Sequence, residues 1–224
     1  MFQRRTFLSL AACSLVHAAS ARAAGPAERQ VGRRLELWSR AAAGTRALVA
    51  RYALTRQTSL LLEPLSVAGQ LVVRAPDALL LRDDVRHGST TRLARGRLEI
   101  RPNDPSLPDT PLAPTPASTW LFEHLLALFT APAAPADPTA ALLLDARVSV
   151  PRGPGMLLDL SPTREHPARR QIRDLVVHLD PHTGDVEQLD LLESGGDRVV
   201  MTFSQRRRDV PDAELAALLD PPAP

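Results

Sequence analysis

Ile172-Arg173-Asp174-Leu175-Val176-Val177-His178-Leu179, the break Asp180-Pro181-His182-Thr183-Gly184-Asp185, and the run from Val186 through Ser194-Gly195-Gly196-Asp197 to Phe203 decide how this chain folds. Leu175, Val177 and Leu179 recur at every second position, and so do Val199, Met201 and Phe203, the mark of strands with one buried face. Glycine and aspartate at the two breaks suit tight antiparallel reversals. The stretch therefore predicts three strands in succession. A meander of this kind, on an exported chain without a catalytic cluster, points to a curved sheet that holds something apolar.

Upstream, Met156 to Leu160 begins the same meander after the turn Gly153-Pro154-Gly155, and Leu142 to Val150 has strand character. Downstream, Asp209 to Leu219 predicts a short closing helix with Leu215, Leu218 and Leu219, and Pro221 to Pro224 a frayed tail. The first half reads similarly. Leu48, Ala50, Tyr52 and Leu54 alternate with Val49, Arg51, Ala53 and Thr55 within a strand from Arg46 to Thr58. A turn at Glu63-Pro64 leads to a strand over Gly69 to Arg74, a break at Pro76-Asp77 to another over Ala78 to Arg82, and Arg92 to Arg101 adds a fourth.

Helices flank these strands. Glu28 to Ala43 puts Val31, Leu35 and Trp38 on one face and arginines on the other, with Gly44 as its stop. Between proline-rich loops at Pro102 to Pro116 and Ala131 to Pro138 lies Ser118 to Thr130, capped by Ser118 or Thr119. Its apolar residues fall all round the helix, with Glu123 and His124 the only ionisable interruptions, so both faces need cover. It is far too short to cross a bilayer. No internal repeat occurs, and strands in succession flanked by helices predict an antiparallel α+β layout.

The amino-terminal segment reads as a cleaved export signal over residues 1–23. Arg4-Arg5 precedes a modest apolar run, and Ala21-Arg22-Ala23 is a small-x-small cleavage site. Gln3 to Leu8 also fits the twin-arginine pattern. Leu10-Ala11-Ala12-Cys13 matches a lipobox, but only seven residues separate Arg5 from Cys13 and the apolar run continues past it, which favours cleavage after Ala23. Losing Arg4, Arg5 and Arg22 takes the 27 basic residues to 24, one fewer than the 25 acidic, so no nucleic-acid partner is expected. Every basic residue is arginine. Cys13, the single cysteine, lies in the signal, so the mature chain carries no disulfide and its core must hold it. Aromatics are 4% of residues, leaving leucine, valine and alanine to build that core. Residues 24–220 are expected to form one domain.

The arrangement resembles the LolA-like periplasmic carriers of outer-membrane lipoproteins. One block is Leu54-Thr55-Arg56-Gln57, Leu62-Glu63-Pro64-Leu65-Ser66 and Gly69-Gln70-Leu71-Val72-Val73-Arg74-Ala75-Pro76. The other is Leu160-Ser161-Pro162, Ile172 to Asp180, Thr183-Gly184, Gly196-Asp197 and Phe203, and Trp120 to Phe129 falls where those proteins place a lid helix. The resemblance implies an incomplete antiparallel β-barrel covered by short α-helices. It also implies a hydrophobic hollow for acyl chains of a lipoprotein or other acylated envelope lipid, moved towards the outer membrane by a periplasmic monomer with transient inner- and outer-membrane partners. Two positions depart from the family. Its arginine directly before the proline is Ala75 here, with Arg74 directed to the opposite face, and an aromatic a few positions on is Leu81. A divergent member is the expectation. Cavity residues would be Leu71, Val73, Leu79, Leu175, Val177, Leu179, Val199, Met201 and Phe203, and lid residues Trp120, Phe122, Leu125, Leu126 and Phe129. The plain reading of each is core packing.

Other constellations weigh little. His178, Asp180, His182 and Asp185 straddle a turn that needs no ion, and no metal or other cofactor is expected. No Gly-x-Ser-x-Gly, His-Glu-x-x-His or phosphate loop occurs, so no enzyme is expected. Arg164, Arg169, Arg170 and Arg173, and then Arg206 to Arg208, read as solvated surface balanced by nearby acids, or as a site for anionic headgroups. The rival reading to a carrier is a non-enzymatic envelope sensor or adaptor with the same fold, binding a protein.

Overall fold

In a computed structural model of the chain, residues 25–107, 113–130 and 138–219 are described. The export signal, Cys13, the ends of the expected domain and the tail lie outside these residues.

Ten strands pair antiparallel in one open, curved sheet: β1 (Ala47–Gln57), β2 (Leu65–Arg74), β3 (Ala78–Asp83), β4 (Ser89–Ala94), β5 (Arg97–Pro102), β6 (Ala146–Ser149), β7 (Met156–Pro162), β8 (Ile172–Leu179), β9 (Val186–Glu193) and β10 (Arg198–Arg208). Their order is β5-β4-β3-β2-β1-β10-β9-β8-β7-β6, so β1 and β10 join two meanders at the centre and the ends stay unpaired with each other. Among the described residues four short helices accompany it: α1 (Pro26–Ala42), α2 (Pro116–Phe129), α3 (Pro138–Leu142) and α4 (Asp212–Leu219). This is the incomplete barrel with short covering helices that the resemblance implied.

The three-strand reading of Ile172 to Phe203 is realised as β8, β9 and β10. In the first break Asp180 Oδ1 accepts the backbone N–H of His182 and of Thr183, each at 2.7 Å, which holds its carboxyl below the usual carboxylate range. Gly184 sits at φ +82°, and a Cβ there would lie 2.4 Å from the Leu37 carbonyl oxygen. That break is therefore tied to α1, with no metal needed to shape it. His178 leans instead toward Asp190, 3.5 Å away.

Several boundaries differ from the sequence reading. Of Leu142 to Val150, read as a strand, only Ala146–Ser149 is one (β6), because Leu142 closes α3 and a turn follows it. Arg92 to Arg101 is two strands, β4 and β5, reversed at Arg95 and Gly96 with φ of +51° and +72°. Gly96 suits such a reversal, but Arg95 gives no hint of a left-handed conformation. β2 starts at Leu65 rather than Gly69. Helix α2 starts at Pro116, because Thr115 accepts the Ser118 N–H at 3.1 Å while proline fills the first helical position.

Cross-strand partners share a face, so the register assigns the layers. Val49, Val72 and Leu80 pair in a row on the convex side, where α4 covers them with Leu215 and Leu219. Arg74 pairs with Ala47 and Ala78 of that same layer, so it does face away from the concave side as expected. On the concave side Leu48, Val73, Leu79, Leu93 and Leu98 form an unbroken buried row across five strands. Helices α1 and α2 close over it: Trp38, 1% exposed, donates from Nε1 to the Leu128 carbonyl at 3.0 Å, and Phe129 meets Phe203 edge-on at 4.9 Å.

Candidate functional site

Two further concave rows show where this cover stops. Leu158, Val177, Leu189, Met201, Leu54 and Val67 pair successively across six strands. The first three are buried and the last three only half-buried. The next row, Leu160, Leu175, Leu191, Val199, Arg56 and Leu65, runs from buried through half-buried to exposed. Burial thus fades toward the β1–β2 hairpin. Apolar side chains on a concave surface are left with nothing on top of them, and the result is a cleft of about 310 Å³.

Helix α2 overhangs the cleft with Leu121, Phe122 and Leu125. One wall carries Asp83, Ser89 and Thr91, the other Arg56 and Glu193. Asp83, Ser89, Arg56 and Glu193 are each held by a polar partner. Tyr52 donates its hydroxyl to Asp83 Oδ1 at 2.5 Å, and Asp83 Oδ2 accepts the Ser89 N–H at 2.6 Å. Burial first, and then the Asp83 carboxylate, push the Tyr52 phenol far above its ordinary value, so it stays a neutral donor. The Tyr52 ring lies across Gly69, where a Cβ would come within 2.4 Å of it. Arg56 pairs with Glu193 at 3.1 Å and Asp197 at 3.5 Å. The chemistry offered is an apolar floor between polar walls, on one of which the Ser89 hydroxyl also donates to Asp83 Oδ2 at 3.3 Å.

Of the fourteen side chains expected from the sequence, Phe122, Leu125, Leu175, Val199 and Met201 line this cleft. Leu71, Val73, Leu79, Val177, Leu179 and Phe203 are buried within the main core. On the other side of α2, Trp120 and Leu126 border a separate hollow of about 260 Å³ with His124 and Leu144, and Phe129 sits by α1. The apolar perimeter of α2 is therefore shared between the sheet, α1, α3 and the 3-10 turn Pro167–Arg170. Not expected were Tyr52, Leu54, Val67, Leu81, Leu189 and Leu191, of which Leu189 and Leu191 alternate visibly with Asp190 and Leu192.

Of the arginines, Arg206 and Arg208 pair with Asp185 and Arg207 with Glu214, so turn and helix acids balance that cluster. His124 is buried and stacked on Trp120 with ring centres 3.9 Å apart. Its Nδ1 donates to the Trp120 carbonyl at 2.8 Å, while Nε2 finds no hydrogen-bond partner among the described residues. Burial pushes the imidazolium down, outweighing the Trp120 and Leu144 carbonyls that favour it. The unfolded chain then binds the proton more readily, so stability is full above the ordinary imidazole value of 6.5 and falls as pH drops through the folded value. Urea midpoints are expected to fall between pH 7.5 and pH 5, with a smaller fall in His124→Gln; equal falls would contradict this role.

No protein-family model matches the chain and no curated protein matches it. Solved structures similar to it include a LolA superfamily protein from Nitrosomonas europaea, 10% identical, covering 83% of this chain and 96% of that one at a TM-score of 0.44. A DUF1329 family protein from Desulfovibrio piger is 11% identical, over 85% and 99%, at 0.47. The Mycobacterium tuberculosis lipoprotein LppX is 13% identical, over 82% and 98%, at 0.42.

Proposed function

We propose that the chain is a periplasmic carrier or chaperone that takes an acyl chain of a lipoprotein or another acylated envelope lipid into this cleft, for transport towards the outer membrane. The supporting observation is the fading burial along the two concave rows, which leaves Leu54, Val67, Leu191, Val199 and Met201 half-buried beneath an overhanging helix. The volume lies at the small end of the ~300–1,000 Å³ of ligand pockets. At ~30 Å³ per water-sized group it has room for about ten methylenes. At about 0.8 kcal/mol each, such a length gains about 8 kcal/mol on leaving water, reduced by the cost of immobilising the ligand. A longer chain would hold its terminal part inside and leave the remainder at the mouth.

Native mass spectrometry of the protein released gently from its own periplasm tests this. The expected result is a bound mass of an acylated molecule. A folded protein with no adduct would count against a carrier, and one stoichiometric protein partner without lipid would favour the sensor or adaptor reading.

A further inference from the structure

Six of the eight large apolar side chains that the described residues expose lie at one end of the sheet: Leu60, Leu61, Leu62, Leu65, Val85 and Leu107. Single exposed leucines need no explanation, but a group concentrated on adjoining loops does. The register shows that the loops adjoin. Arg56 pairs with Leu65 at the base of the β1–β2 hairpin, and Gly69 pairs with Asp83, which brings the β3–β4 loop alongside. Asn103 Nδ2 donates to the carbonyls of Asp83 and Val85, at 2.8 and 3.2 Å, and so fixes the segment bearing Leu107 to that loop. Leu60 is 89% exposed and Leu62 fully so.

Two observations say what this end meets. Leu65 is the outermost member of the concave row that includes Leu191 and Val199, so that row, interrupted by Arg56, ends on one of the exposed leucines. At the same end, between β7 and β8, the turn carries exposed Arg164 and Arg170, which have no carboxylate partner among the described residues. Apolar tips and unpaired arginines on the same end of the sheet match a bilayer surface, with hydrocarbon below and anionic headgroups above.

We propose that this end of the sheet docks on a lipid bilayer, with Leu60 and Leu62 entering the boundary between headgroups and acyl chains while Arg164 and Arg170 meet anionic headgroups. Docking sets the open end of the cleft against the membrane. This adds a loading and delivery surface to the carrier reading but does not require the cleft to be filled.

Flotation of the purified protein with vesicles of phosphatidylethanolamine and phosphatidylglycerol tests it. The protein is expected to float, and Leu60→Ser with Leu62→Ser to lower the bound fraction about tenfold or more, with an unchanged urea midpoint because both side chains are solvent-exposed. Arg164→Gln with Arg170→Gln should weaken binding several-fold, and only while phosphatidylglycerol is present. A protein that floats neither with these vesicles nor with vesicles of phosphatidylethanolamine alone overturns the proposal, as does a leucine variant that floats like the parent. The leucine variant should still take up a short acyl probe from solution. A protein that floats but never takes up such a probe loses the carrier reading and keeps this one.

Discussion

Met201→Glu is expected to abolish uptake of a fluorescent fatty-acid probe, lowering affinity at least about 100-fold, while the protein stays folded. Met201 stands on the cleft floor between Leu189 and Leu54, half-buried rather than sealed. A carboxylate there can reach water in the empty protein, but once an acyl chain covers it the charge must be desolvated beside hydrocarbon, at a cost of several kcal/mol. Each 1.4 kcal/mol is a factor of ten in affinity. The same change at Val177 or Leu179 would be a different experiment. Those side chains are 0% and 3% exposed within the core, so glutamate there would unfold the protein and report nothing about the cleft. A Met201→Glu protein that retains its urea midpoint and still takes up the probe would show that the floor is not the binding surface.

Trp38→Ala should give the largest loss of stability. The indole is 1% exposed, and its Nε1–H donates to the Leu128 carbonyl near the end of α2. Removing it opens a cavity where α1 meets α2 and strands that carbonyl. Deleting a buried tryptophan side chain costs ~3–5 kcal/mol, a large part of the ~5–15 kcal/mol that holds a typical protein folded. With a urea dependence of ~1–3 kcal/mol per molar, the midpoint should fall by roughly 2 M. Trp38→Phe keeps most of the volume and forfeits the hydrogen bond, so its fall should be well under half as large. Equal falls for the two variants would mean that the hydrogen bond, not the packing, holds α1 in place.

The strands were legible in the sequence because a half-buried strand writes its burial as alternation, and Leu175-Val177-Leu179 and Val199-Met201-Phe203 do so plainly. The same alternation cannot separate core from cleft floor. Leu175 and Val199 carry the same signal, yet one is sealed and the other half-open, because that difference depends on where α2 ends over the sheet. Helix α2 posed a related problem: an all-round apolar surface says that every face is covered, not which element covers it. Here α1, α3 and a 3-10 turn supply the cover that could equally have come from cargo. The β4–β5 reversal escaped notice because arginine at position 95 adopts a conformation its side chain disfavours. The exposure of Leu60, Leu61 and Leu62 leaves no mark in the sequence, because leucines beside the Glu63-Pro64 turn could as well pack inward.

Affinity across a series of saturated fatty acids tests the occupied cleft most directly. If hydrocarbon burial on this floor drives binding, each added methylene should tighten binding about fourfold, following the ~0.8 kcal/mol gained per buried group. The gain should level off near ten methylenes, when the space beneath Phe122 and Leu125 is full. An affinity that does not change with chain length would contradict an acyl-binding cleft.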